Sequence, residues 1–211
     1  MQRLGSLLIA TLALAVSAVP AVAYDETWYL ADYWPGEYPQ GFSVTASDVV
    51  LPGRKNSDPS LPFTRKCQVT KGATFHPWNE DRDALYRTYS KIVRLKVSDE
   101  FVYEFTDSQG NATARTITKS DRLEYLIYQG EGYFYVRYQG IILTAGQDLF
   151  DHVEPVGQSQ FVDDEWVRIP CGDGKHAWVL LSDLRDKDGK WMTGLDTPNI
   201  TEYGKAHDLG K

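Results

Sequence analysis

From Phe101 onward the chain is written largely in period two. Phe101, Tyr103 and Phe105 alternate with Val102 and Glu104, Leu123, Tyr125 and Ile127 share one face, and Phe134, Val136 and Tyr138 oppose Tyr133, Tyr135 and Arg137. Residues two apart lie on one face only in an extended strand. The runs are separated by DSQGN, QGEG and CGDGK, whose Gly, Asn, Asp and Ser turn a chain readily. Short strands with turns about every 8 to 12 residues predict a small barrel or sandwich. The supply of 13 Tyr and 6 Trp against 2 Met points the same way.

The segment before this is less regular. Between Tyr24 and Lys66, Pro35, Pro39, Pro52, Pro59 and Pro62 exclude long central strands and helices. Short strands are expected at Gly41 to Val44 and Asp48 to Leu51, then an exposed loop, GRKNSDPSLP, and a strand in KCQVTKG that carries Cys67 inward. In DALYRTYSKIVRLKV, Leu85, Tyr89 and Ile92 are spaced as on a helix, whereas Val93, Leu95 and Val97 alternate, which predicts one short helix running into a strand. Just before it, in FHPWNEDR, Asn79 is a candidate helix N-cap with Glu80 and Asp81 in the first turn. After Asp186 the text is polar and glycine-containing, as a surface tail would be.

The first 23 residues join an early Arg3, an apolar run from Leu7 to Val19 and the small residues of Ala21-Val22-Ala23. This is the pattern of a secretory signal peptide, and the run is too short and too interrupted by Pro20 for a membrane anchor. Its short leading region suggests a bacterial chain bound for the periplasm. No later stretch is long and apolar enough for a membrane helix. The formal net charge is -7, without a basic run, which gives no electrostatic footprint for nucleic acid. In an oxidising compartment Cys67 and Cys171 are expected to form a disulfide across 104 residues. The alternative is a free thiol at Cys171 activated by His176.

The run EWVRIPCGDGKHAWVLLSDL has a Trp-containing strand, a Gly-bearing hairpin, a second strand with Ala177-Trp178-Val179 and a single helical turn. It resembles the distal hairpin and closing strand of bacterial Src-homology-3-like domains. DRLEYLIYQGEGYFYVRYQGIILTA resembles the opening strands, so the likeness covers about Thr116 to Leu184. It implies a binding module of the cell envelope, associated with wall material and bringing no catalytic residues. The expected organisation is therefore a signal peptide over 1–23, an irregular β-rich region over 24–115, a Src-homology-3-like barrel over 116–185 and a polar tail over 186–211.

Chemistry-bearing motifs are sparse. The histidines at 76, 152, 176 and 207 show no metal-ligand spacing, and DKDGK at Asp186 lacks the further oxygen ligands of a calcium loop. There is no Gly-x-Ser-x-Gly elbow. Glu131, Asp163, Asp164 and Glu165 read as solvated acids near turns. No cofactor is expected. The aromatic supply is more suggestive, because indole and phenol rings offer stacking area for sugars or proline-rich peptides at low entropic cost. Trp166 and Trp178, expected opposite one another in a hairpin, are assigned to the core. Trp34, Tyr38, His76 and Trp78, set among Pro and polar residues, are the candidate ligand-binding residues.

The expectation is a mainly β, secreted protein that binds an envelope peptide or glycan without catalysis. Two alternatives stand beside it: a small wall hydrolase using His76 with a nearby carboxylate, and an interaction partner or inhibitor of another secreted protein.

Overall fold

The computed structural model describes residues 23–32, 36, 40–77, 85–172, 174–198, 200–202 and 205–206. The protein is mainly β, and its helical content among these residues is two 3-10 turns. The first half supplies β1 (Trp28–Ala31), β2 (Phe42–Val44), β3 (Val49–Gly53), β4 (Arg65–Val69), β5 (Thr74–Phe75) and β6 (Leu85–Lys91). A second series follows: β7 (Val93–Val97), β8 (Phe101–Thr106), β9 (Ala112–Ile117), β10 (Arg122–Gly130), β11 (Tyr133–Tyr138), β12 (Ile141–Gly146) and, after a 3-10 turn over Gln147–Asp151, β13 (Val153–Pro155). The chain closes with β14 (Asp163–Pro170), β15 (His176–Leu180), a 3-10 turn over Leu181–Leu184, β16 (Leu195–Asp196), β17 (Ile200–Glu202) and β18 (Lys205–Ala206).

The second series is one sheet in the order β13-β7-β10-β11-β12-β8-β9. Its inward residues, among them Val93, Phe105, Ile117, Leu123, Phe134, Val136, Leu143 and Val153, form a single buried cluster. One face of seven strands can converge on one core only if the sheet curls, and β10 curls through two register shifts along its pairing with β11. Gln139 (φ 50°) and Gly140 (φ 80°) form the two-residue hairpin between β11 and β12, with both residues left-handed as the strand twist requires.

The remaining strands surround a second core, made of Phe42, Leu51, Cys67, Val69, Val167, Ile169, Val179 and Leu184 with their neighbours. This outer unit is split in sequence by the inner one. Strands β1, β6, β14 and β15 form its main sheet, β2 lies between β16 and β5, and β3 pairs with β4. The crossings are short: Ile92 alone separates β6 from β7, and residues 156–162 return from β13 to β14.

Both units are built in the same order. In the inner unit β7 is followed by the hairpin β8–β9, then β10, β11, β12, a 3-10 turn and β13, which returns to pair with β7. In the outer unit β2 is followed by the hairpin β3–β4, then β5 with β6, β14, β15, a 3-10 turn and β16, which returns to pair with β2. The hairpin meets the strand before the 3-10 turn in each, through Thr106 and Thr144 inside and through the Arg54–Trp178 bridge outside. The inner β10 pairs with both β7 and β11, whereas the outer unit divides that task, β5 pairing with β2 and β6 with β14. Phe75, the first residue of FHPWNEDR, ends β5, and the stretch from Trp78 to Arg82 lies outside the described residues.

Several expectations change. Residues 85–91, expected as a short helix, are strand β6. Its alternation is hidden because Thr88 and Ser90 on one face are as buried as the apolar core, while Tyr89 on the other is half-buried. The N-cap reading at Asn79 lies outside the described residues. The expected division between 115 and 116 falls within β9, and β6 from the earlier region pairs along β14 from the later one. The stretch expected as a surface tail returns to the outer core: Trp191 and Met192 pack against it, Leu195 is buried, and β16 pairs with β2. Trp166 and Trp178 are buried as expected but not opposite, since Trp166 faces Leu180 and Trp178 faces Arg168.

Candidate ligand-binding surface

Alternation along β14 sends Val167 and Ile169 into the outer core and turns Asp164, Trp166 and Arg168 to the opposite face. That face carries most of the aromatic surface of the outer unit, and much of it is closed. Trp166 is 1% exposed and Trp178 8%. Tyr24 stacks on Tyr89 with ring centroids 3.6 Å apart, accepts a hydrogen bond from Trp166 Nε1 (2.7 Å) and donates to Asp164 (2.8 Å). Arg54 lies over the rings of Phe63 and Trp166 and pairs with Asp183, and Arg87 lies over Trp178. The loop after β3 is held down where Arg87 donates to Ser57 (3.0 Å). Guanidinium over indole in a partly desolvated setting is attractive, so this face is a third, small core covered by its own loop.

Burial, and then the Asp164 charge, hold the Tyr24 hydroxyl far above the ordinary phenol range. Desolvation raises Asp163 and Asp164 above the usual carboxylate range, opposed at Asp164 by the hydrogen bond from Tyr24. Asp164 is therefore tied into the sheet, contrary to the solvated turn expected for it, whereas Asp163 is exposed as expected.

The aromatic surface opens at the junction of the two units. A groove of about 440 Å³ is lined by Trp28, Lys91, Ile92, Val93, Gln158, Ser159, Gln160 and Val162. Trp28 on β1 stands opposite Lys91 on β6, and the ammonium sits 4.9 Å from the indole centroid while donating to Thr27 Oγ1. The far wall is the returning crossing, anchored where Lys91 N donates to Val162 O (2.8 Å) and where Phe161 packs on Tyr125 at 4.5 Å. Gln158, Ser159 and Gln160 are exposed. A half-buried indole facing two amides, a hydroxyl and an ammonium offers both a stacking surface and directional hydrogen bonds, the combination found in pockets for small polar ligands.

Of the residues expected to bind ligand, Trp34, Tyr38 and Trp78 lie outside the described residues. His76 is fully buried, and desolvation lowers its pKa. The chain closes tightly over it: a Cβ on Gly41, at φ +145°, would lie 2.1 Å from the Phe75 carbonyl and 3.0 Å from His76. His76, a candidate ligand-binding residue in the sequence, is thus an interior one. Cys67 and Cys171 form the disulfide, which leaves no thiol for His176 to activate. Among the described residues no His, Cys, Asp and Glu group has metal-site geometry, and no helix is long and apolar enough to cross a membrane.

Trp28 escaped the sequence reading because its partners are remote. Its local signal is an indole in a four-residue strand just after a turn, whereas Lys91 and Gln158–Val162 join it only through sheet register and the return crossing. Comparison with protein-family models, curated proteins and solved structures finds no match to this chain.

Proposed function

We propose that this is a secreted, periplasmic, non-catalytic binding module of the cell envelope that engages a peptide or glycan through exposed aromatic surface. The observation that carries the reading is the Trp28 groove, which combines a ring face with Gln158, Ser159 and Gln160 at an open junction. A glycan presents C–H faces that stack on indole and hydroxyls that pair with amides, and a proline-containing peptide presents similar chemistry. The export pattern of the first 23 residues and the disulfide support an oxidising destination. The burial of His76 favours this reading over the hydrolase alternative.

A Src-homology-3-like architecture is part of this proposal, with the unit taken as Val93–Pro155 instead of the span first suggested by resemblance. The order of a long first hairpin, a distal hairpin at Gln139–Gly140, a one-turn helix and a closing strand beside the first supports it. The outer unit, in the same order, is then a second copy that carries the first as an insertion.

The test is titration of the mature protein with soluble wall fragments, followed by tryptophan fluorescence and by cosedimentation with intact sacculi. Binding with a Trp28-dependent fluorescence change is expected, and Trp28→Ala should weaken it about tenfold or more, which is about 1.4 kcal/mol. Absence of binding to every wall fraction, or binding indifferent to Trp28→Ala and Gln160→Ala, rejects the reading.

A further inference from the structure

On the outer face of the inner unit, β7 and β10 border a second groove, of about 360 Å³, whose walls include Arg94, Lys96, Lys119, Arg122 and Ser120. The protein as a whole is acidic, with a formal net charge of -7, so four cations around one concavity are a local reversal of sign. Two of them, Lys96 and Arg122, stand directly opposite in the antiparallel register. Like charges in that position repel and destabilise a sheet.

Two acids, Asp121 and Glu124, also line the groove, Glu124 opposite Arg94 in the register, so the four cations outnumber them two to one. Asp121 accepts from the backbone N–H and hydroxyl of Thr118 at 2.7 and 2.8 Å. Glu124 is held by Arg137 at 2.6 Å. Glu154 reaches Lys96 only at 3.4 Å, with both side chains well exposed. Arg94, Lys119 and Arg122 have no carboxylate partner among the described ion pairs. Val156, 49% exposed, gives the groove an apolar lip beside the charges.

We infer that this groove is a binding site for a small oxyanion-bearing molecule, a phosphate- or carboxylate-substituted sugar, seated between Arg94 and Arg122 with its ring against Val156. Guanidinium forks match the two oxygens of such groups. The volume lies at the lower end of the range for small-ligand sites and is short for an extended polymer. The site stands independently of the Trp28 groove, with which it shares no lining residue.

The experiment is amide-resolved NMR titration of the mature protein with inorganic phosphate, glucose 6-phosphate, glucuronate and glucose at low salt, repeated at higher salt. Glucose 6-phosphate or glucuronate should shift the amides of Arg94, Ser120 and Arg122, and the two arms distinguish a phosphate from a carboxylate preference. Arg94→Gln and Arg122→Gln should each weaken binding about tenfold, while Lys187→Gln, at a remote exposed pair, should not. Added salt should weaken it further. Without ligand, Arg122→Gln should leave the thermal midpoint unchanged or raised, because it relieves the opposition to Lys96. The inference is overturned if neither charged sugar shifts these amides, if glucose shifts them equally, if the arginine variants bind as well as the parent, or if Arg122→Gln lowers stability. Response to inorganic phosphate alone would also overturn it, as a diffuse ion effect.

Discussion

Leu149 and Leu184 hold the same position in two different cores. Each is fully buried at the foot of a 3-10 turn, and each follows an aspartate that reaches back to the unit's first long hairpin. Asp148 accepts from the Tyr103 hydroxyl at 2.7 Å, and Asp183 pairs with Arg54. Truncating either leucine to alanine should cost about 2–5 kcal/mol, read as a shift in urea midpoint. The damage should be separable: hydrogen exchange in Leu149→Ala should accelerate within residues 93–155, and in Leu184→Ala within β14 and β15.

Two tyrosines should respond in opposite ways to the same substitution. Tyr24→Phe leaves the Trp166 N–H and Asp164 without the hydroxyl that serves both, and should cost about 1–3 kcal/mol. The Tyr86 hydroxyl is enclosed and has no hydrogen-bond partner among the described residues. Tyr86→Phe should therefore be neutral or stabilising by up to about 1 kcal/mol. Chemical denaturation of the two variants side by side tests the contrast.

Acidification should act through His76. Its folded pKa is depressed by burial, so as pH falls the unfolded chain takes up the proton first. The associated stability is present above about pH 6.5 and is lost as pH falls from there toward the folded value. Asp163 and Asp164 have the opposite sign, since their raised folded values favour the folded state as pH drops toward the ordinary carboxylate range. His76→Gln should accordingly flatten the fall in stability between about pH 7 and pH 5, measured by urea titration at each pH.

Reduction of the Cys67–Cys171 disulfide should destabilise the outer unit selectively. The bond joins β4 to the turn after β14, and both sulfur-bearing residues belong to the outer core. In the chain-entropy view a loop of 104 residues is worth about 4.7 kcal/mol. The Cys67→Ser, Cys171→Ser double variant should lose the outer-core near-ultraviolet signal at lower urea while amides of residues 93–155 keep their protection.

Much of the strand content was legible because the core positions of β8 and β11 alternate strictly, although in β10 the shared face expected for Leu123, Tyr125 and Ile127 is broken by the register shift after Tyr125. The disulfide followed from two cysteines behind an export pattern. Strand β6 was misread because its inward face carries Thr88 and Ser90 beside Tyr86, so burial left only one aromatic trace there. The organisation was invisible for another reason. A nested unit is defined by which strands pair, and the β6–β14 ladder joins residues on either side of the whole inner unit. The same distance hid the Trp28 groove, whose walls come from β1, β6 and the return crossing.

That nesting also sets the order in which the chain can fold during synthesis. Strand β6 emerges long before β14, and closing so long a loop is entropically costly if its interior is unstructured. The inner unit is contiguous, and its first and last strands are neighbours, Val97 standing opposite Val153. Once it has folded, the end of β6 and the beginning of β14 are separated by little more than Ile92 and residues 156–162. The insertion thus turns a long-range pairing into a local one, and the outer sheet is expected to assemble around a piece already complete.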